Sequence, residues 1–183
     1  MMSRVKRAYT LPSVAAVAAL ALTGCSSGLG MTEGVVIEGT GYSVAEVQEA
    51  AEQLSEVSPE PVAVPTVIYQ AGVAPLLHRS FNDTSYEVTE SDARRVLSEA
   101  GLEGEASDLT VQAVTFQEYG ALLGDQEALA DEELAPVIAE LQTLSAEDIG
   151  ALEVEVNPRF GSWSASGDGV LPQVPGWISS PSG

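Results

Sequence analysis

The chain has 183 residues, with 27 acidic side chains against 7 basic ones, a formal net charge of −20, one cysteine and one histidine. A single histidine rules out a multi-histidine metal site, and a single cysteine rules out an internal disulfide. After Arg7 the only cations are Arg79, Arg94, Arg95 and Arg159, so the clustered Lys/Arg by which nucleic acids and anionic headgroups are bound is absent there. The acidity itself fits solubility in a salty exterior better than recruitment of cations or basic partners.

The N-terminus reads as an export signal. Arg4, Lys6 and Arg7 form a positive stretch, followed by an uncharged Ala/Val/Leu-rich run from Ala8 to Leu22. That run is shorter than the ~20 residues needed to span a bilayer. Leu22, Thr23, Gly24 and Cys25 resemble a bacterial lipobox, which implies cleavage after residue 24 and lipidation of Cys25. An ordinary signal peptide cut near a cysteine is the alternative. Residues 1–24 are thus expected as a lipoprotein signal peptide and 25–34 as a lipidated cysteine with a flexible Gly/Ser tether. A helical domain is expected over 35–163 and a Ser/Gly/Pro-rich irregular tail over 164–183. A diacylglyceryl group supplies the two chains that stable attachment requires.

In the domain, Val35 to Ile37 predicts a short strand. Ser43 and Glu46 form a capping box, and Tyr42 and Val47 the two positions of a hydrophobic staple, at the start of a helix whose inner face is Val44, Val47, Ala51 and Leu54. Pro59 and Pro61 end it. Pro65 to Leu77 predicts a helix buried on most sides, with Pro65 in its first turn and a kink near Pro75. Asn82 to Glu87 is a polar loop. Thr89 or Ser91 caps a helix with Ala93, Val96, Leu97 and Ala100 on one face, ended by a left-handed Gly101. Ser107 opens another, with Leu109, Ala113, Phe116 and Leu123 in one stripe and Gly124 at its close. A further helix carries Leu134, Val137, Ile138 and Leu141, starting or kinking at Pro136. Ala151 to Val156 alternates apolar with acidic residues as a half-buried strand does, and its evident partner is Val35 to Ile37. From Gly161 onward the chain reads as irregular, with Trp163 and Trp177 as isolated apolar points. The expected fold is mainly α, a bundle of about five helices closed by a short two-stranded sheet from the two ends of the domain.

Catalytic constellations are scarce. His78, at the end of an apolar helix beside Arg79, fits a residue hydrogen-bonding the last helical carbonyls. Gly24 to Gly28 matches G-x-S-x-G, but a signal peptide precedes it where the nucleophile elbow needs a strand. Asp125, Glu127, Asp131, Glu132 and Glu133 lack the spacing of a calcium loop and read as a solvated face or loop. Arg94 and Arg95 are expected to pair with nearby acids. For Arg159 two readings stand, an ion pair fixing the exit of the last strand and a cation anchoring a ligand.

The run Val35 to Val47 (VVIEGTGYSVAEV) resembles the start of the SurA N-terminal-like domain, where a strand and turn lead into a Ser/Thr-capped helix. It departs from that pattern by Glu38-Gly39 plus two further residues, Thr40 and Gly41, which implies a longer turn. Val154 to Trp163 (VEVNPRFGSW) resembles a signature of small actinobacterial-type lipoproteins that carry this domain without a parvulin domain. The resemblance implies a chaperone-like peptide- or protein-binding module without isomerase activity, on the extracytoplasmic face of the cell membrane. Its partners would be unfolded or extended polypeptides, with no catalytic residue, cofactor or metal. A structural adaptor for one envelope protein, docking through Trp163 and Trp177, is the alternative. An enzyme working with carboxylates alone, such as a glycosidase, is a weaker third reading, because sugar-stacking aromatics are few.

Overall fold

The computed structural model describes residues 32–173. Cys25, the leader before it, most of the tether and Trp177 lie outside the described residues. Strand β1 (Glu33–Ile37) turns into β2 (Thr40–Ser43), and four longer helices follow: α1 (Val44–Val57), α2 (Val64–Phe81), α3 (Glu90–Glu99) and α4 (Asp108–Gly124). A 3-10 turn at Ala128–Ala130 leads to two short helices, α5 (Ala135–Leu141) and α6 (Ala146–Gly150). Three short strands end the described chain: β3 (Val154–Val156), β4 (Ser162–Trp163) and β5 (Val170–Leu171). The fold is mainly α with a short antiparallel sheet, as expected.

The pairing of the two ends is the predicted one. Val35 faces Val156 and Ile37 faces Val154, antiparallel. The sheet nevertheless has three strands, in the order β2-β1-β3, because Thr40 and Gly41 do not lengthen a turn. Glu38 and Gly39 both take positive φ, 48° and 81°, and make a tight two-residue hairpin that places Thr40 opposite Ile37. Arg79 binds the Glu38 carboxylate, and the Glu38 N–H donates to the Glu153 carbonyl, so the unusual backbone is held from both sides.

The capping box at Ser43 forms as predicted, with Glu46 N–H donating to Ser43 Oγ at 3.2 Å and Ser43 N–H to Glu46 Oε2 at 2.7 Å. Tyr42 and Val47, the staple pair, are both buried. Helix α3 is capped by Thr89 in the same way, and Gly101 follows it with φ 98°. Ala100 is exposed at the C-cap rather than on the inner face.

Helix α2 is the centre of the molecule and packs most extensively on α4. Its first half joins Val35, Val47, Leu54, Leu97 and Leu109 in one apolar cluster through Val67 and Ile68. Its second half joins Tyr119, Leu134 and Val137 in another through Val73, Leu77 and Phe81. Helix α4 serves both clusters, which is why burial extends beyond the predicted stripe to Thr110, Val111, Val114, Thr115 and Tyr119. Pro75 lies inside α2 and supplies no N–H, so the Ala71 carbonyl has no helical donor at that step.

The expected irregular segment after Gly161 is instead a hairpin as far as Leu171, with Trp163 paired to Val170. Trp163 stacks on Tyr69 at 5.9 Å and donates through Nε1 to the Ile149 carbonyl at 3.2 Å. The close approach depends on Gly72, where a Cβ would stand 3.2 Å from the indole ring. Trp163 is therefore packed into the fold and is not a free docking point. No helix among the described residues is long and apolar enough to cross a membrane.

Candidate peptide-binding groove

Between α2, the segment entering α3, and α4 lies a groove of about 290 Å³. Ala74, Pro75 and His78 line it from α2, Val88 and Glu90 from the α3 side, and Asp108, Val111, Gln112 and Thr115 from α4. The floor is apolar because α2 and α4 carry apolar residues on most sides, so the same kind of side chain lines both the core and the groove.

The far wall of the groove is fixed by Tyr119. Its ring is buried and stacks on Phe81 at 4.5 Å with planes 16° apart. Its hydroxyl accepts the Val88 N–H at 3.0 Å and lies 3.1 Å from His78 Nδ1. Burial pushes the Tyr119 hydroxyl above its usual pKa, the Val88 hydrogen bond opposes this, and the Glu87 charge adds to the rise. The proton therefore stays on the phenol, whose oxygen is within hydrogen-bond distance of both the Val88 N–H and His78 Nδ1. His78 thus braces a tyrosine across the groove rather than closing the end of its helix. The helix runs on to Phe81.

The near wall is built on Gln112. Its Nε2 donates to Tyr42 Oη at 2.7 Å, while its Oε1 is buried with no hydrogen-bond partner among the described residues. An orphaned buried acceptor costs about 1–3 kcal/mol, so a turn of the Gln112 side chain that brings Oε1 to an N–H in the groove is favoured. Tyr42 is raised above its usual pKa chiefly by burial, partly offset by the Gln112 hydrogen bond, with Asp108 and Glu46 adding to the rise.

At the rim, Arg94 bridges Glu90 at 2.8 Å and Asp108 at 3.0 Å and donates to the Ala106 carbonyl at 2.6 Å. Arg95 pairs with Asp92 and Glu99. Both arginines are thus occupied by acids, as the sequence predicts. Arg159 is not: among the described residues it makes no ion pair, and its guanidinium lies 5.3 Å from the Phe160 ring centre. The strand exit is fixed instead by Asn157, whose Nδ2 donates to the Glu33 carbonyl at 2.7 Å.

The acidic run from Asp125 to Glu133 is a connector. Asp125 and Asp131 accept the N–H groups of Glu127 and Glu133, and Asp131 and Glu133 also hold Tyr86 and Ser85 of the α2–α3 loop. Among the described residues no group of three or more His, Cys, Asp or Glu side chains is placed to hold a metal ion.

Three helix-capping carboxylates are expected to give the molecule an acid limit. Glu46, Asp92 and Asp148 are each held below their usual pKa, first by the capping Ser or Thr hydroxyl and then by the backbone N–H of the same residue. A depressed folded pKa stabilises fully above the unfolded value of about 4 and is lost as pH falls through the folded value. The net charge of −20 acts in the opposite direction, since partial protonation relieves self-repulsion. Thermal melts are expected to show stability rising as pH drops from about 7 to about 5 and falling below about 4. Ser43→Ala, Thr89→Ala and Ser145→Ala combined should flatten the acid limb; an unchanged limb would show that the caps do not cause it.

Comparison of the chain with protein-family models, with curated proteins and with solved structures found no match.

Proposed function

We propose that this chain is a membrane-anchored extracytoplasmic lipoprotein, held by a lipid on Cys25, that binds unfolded or extended polypeptide in the groove between α2 and α4. It acts in a chaperone-like manner and without isomerase activity. The observation that carries the reading is the apolar-lined groove, one of whose lining residues, Gln112, has an amide carbonyl without a hydrogen-bond partner among the described residues. An extended peptide offers what such a site lacks, apolar side chains for the floor and backbone N–H groups for the amide. The lipobox-like run ending at Cys25 and the resemblance of Val35 to Val47 to a SurA N-terminal-like domain point the same way. The adaptor reading is weakened by Trp163, whose indole is engaged inside the fold.

Gln112→Leu tests the placement. It removes an unsatisfied acceptor and one hydrogen bond to Tyr42, so thermal stability should change by no more than about 1 kcal/mol. Affinity for a labelled unfolded polypeptide should fall about five- to tenfold, the loss of one buried hydrogen bond. Unchanged affinity would place binding elsewhere. If the wild-type protein neither suppresses aggregation of an unfolding client nor cross-links to unfolded chains, the reading fails altogether.

A further inference from the structure

We propose that the groove selects cationic apolar segments, in which an apolar side chain is flanked by lysine or arginine, over neutral or acidic segments of equal hydropathy. This rests on the peptide-binding reading and specifies its ligand. The floor, formed by Ala74, Pro75, Val88 and Val111, recognises the apolar side chain. The charge selectivity comes from the rim. Glu90 and Asp108 stand at the groove as the first residues of α3 and α4, held beside one another by the single guanidinium of Arg94. That guanidinium takes Glu90 Oε1 and Asp108 Oδ1, so two carboxylates share one cation and the rim stays net negative. At the His78 side of the groove Glu87 adds another carboxylate, 3.8 Å from the imidazole.

Arg159, which makes no ion pair among the described residues, does not line the groove, and the other arginines are engaged by acids. Arg79 is engaged by Glu38, Arg95 by Asp92 and Glu99, and no lysine follows Lys6. An acidic segment would find no cation to meet it in the groove and would approach a strongly negative molecule. A lysine or arginine beside the bound apolar residue reaches the outer carboxylate oxygens of Glu90 and Asp108, completing a site that Arg94 leaves half neutralised. The rim side chains are well exposed, so the preference is modest per charge and sensitive to salt.

The test uses the full chain in neutral detergent and fluorescently labelled ten-residue peptides sharing one apolar core, flanked by Lys/Arg, Gln or Glu. At low ionic strength the cationic peptide is expected to bind about tenfold tighter than the acidic one, shrinking to about twofold at 0.5 M salt. Glu90→Gln with Asp108→Asn should remove most of that gap. Glu52→Gln with Glu60→Gln, an equal charge change on exposed residues elsewhere, should leave it in place. Asp108→Asn alone gives an intermediate gap and serves if the double variant fails to fold. Equal binding of all three peptides would overturn the selectivity while leaving peptide binding intact. A gap reduced equally by both double variants would also overturn it, by assigning the preference to overall charge. Binding of none of the peptides overturns the peptide-binding reading itself.

Discussion

Phe81→Ala is expected to lower the unfolding free energy by about 3–5 kcal/mol, the range for deleting a buried aromatic ring, out of a total of about 5–15 kcal/mol for a domain of this kind. Phe81 is fully buried at the C-terminal end of α2 and supports the Tyr119 ring by stacking. The loss extends beyond the cavity, because Tyr119 anchors Val88 and His78 on the groove wall. Tyr119→Phe separates these contributions. It keeps the stack but leaves the Val88 N–H and His78 Nδ1 without their partner, and is expected to cost about 1–3 kcal/mol. Urea titration with tryptophan fluorescence measures both. Equal effects would mean that the ring stack contributes nothing beyond the hydroxyl, contrary to the packing described here.

The second large effect concerns attachment. Under the proposed function, Cys25→Ala should move the protein from the membrane to the soluble exterior fraction, with its thermal melt unchanged. The domain's own sheet begins at Glu33, and its strand pairings lie entirely among the described residues. No helix among the described residues offers a membrane span, and the cations after Arg7 are four arginines. Fractionation with immunodetection reads the outcome directly. A Cys25→Ala protein that stays with the membrane would remove the lipid from the account and leave the groove untouched.

Local rules were readable from the sequence where they act over a few residues. The Ser43 capping box and the left-handed Gly101 are set by neighbours within five positions and both form, and the staple positions Tyr42 and Val47 are both buried in the same cluster. The pairing of β1 with β3 was legible too, since both segments carry apolar alternation and little else competes for them. Helix α6 has no apolar periodicity to mark it, although Ser145 and Asp148 form the same capping box as Thr89 and Asp92. The signal was present, but the helix is only five residues long. Strand β2 escaped because its pattern is read as a turn unless Glu38 is allowed a positive φ.

The hairpin of β4 and β5 had no periodic signal at all. Two-residue strands carry none, and this pair exists because Trp163 finds Gly72 and Tyr69 on a helix some ninety positions earlier. The groove was illegible for a similar reason. It is assembled from α2, the α3 entry and α4, and its distinctive atom, Gln112 Oε1, becomes informative only when its partner count is known. His78 illustrates both points: chain position suggested a helix end, whereas tertiary packing made it the brace of Tyr119.

The central claim is that the groove holds extended polypeptide at the membrane surface. In-cell photocross-linking from Val88, on the groove wall, compared with Gln48, on the solvent face of α1, tests it most directly. The account predicts adducts of many sizes from Val88, increased when proteins unfold, and few from Gln48. No adducts from Val88, or one adduct of a single mass in stoichiometric yield, would contradict it, the latter in favour of a dedicated adaptor.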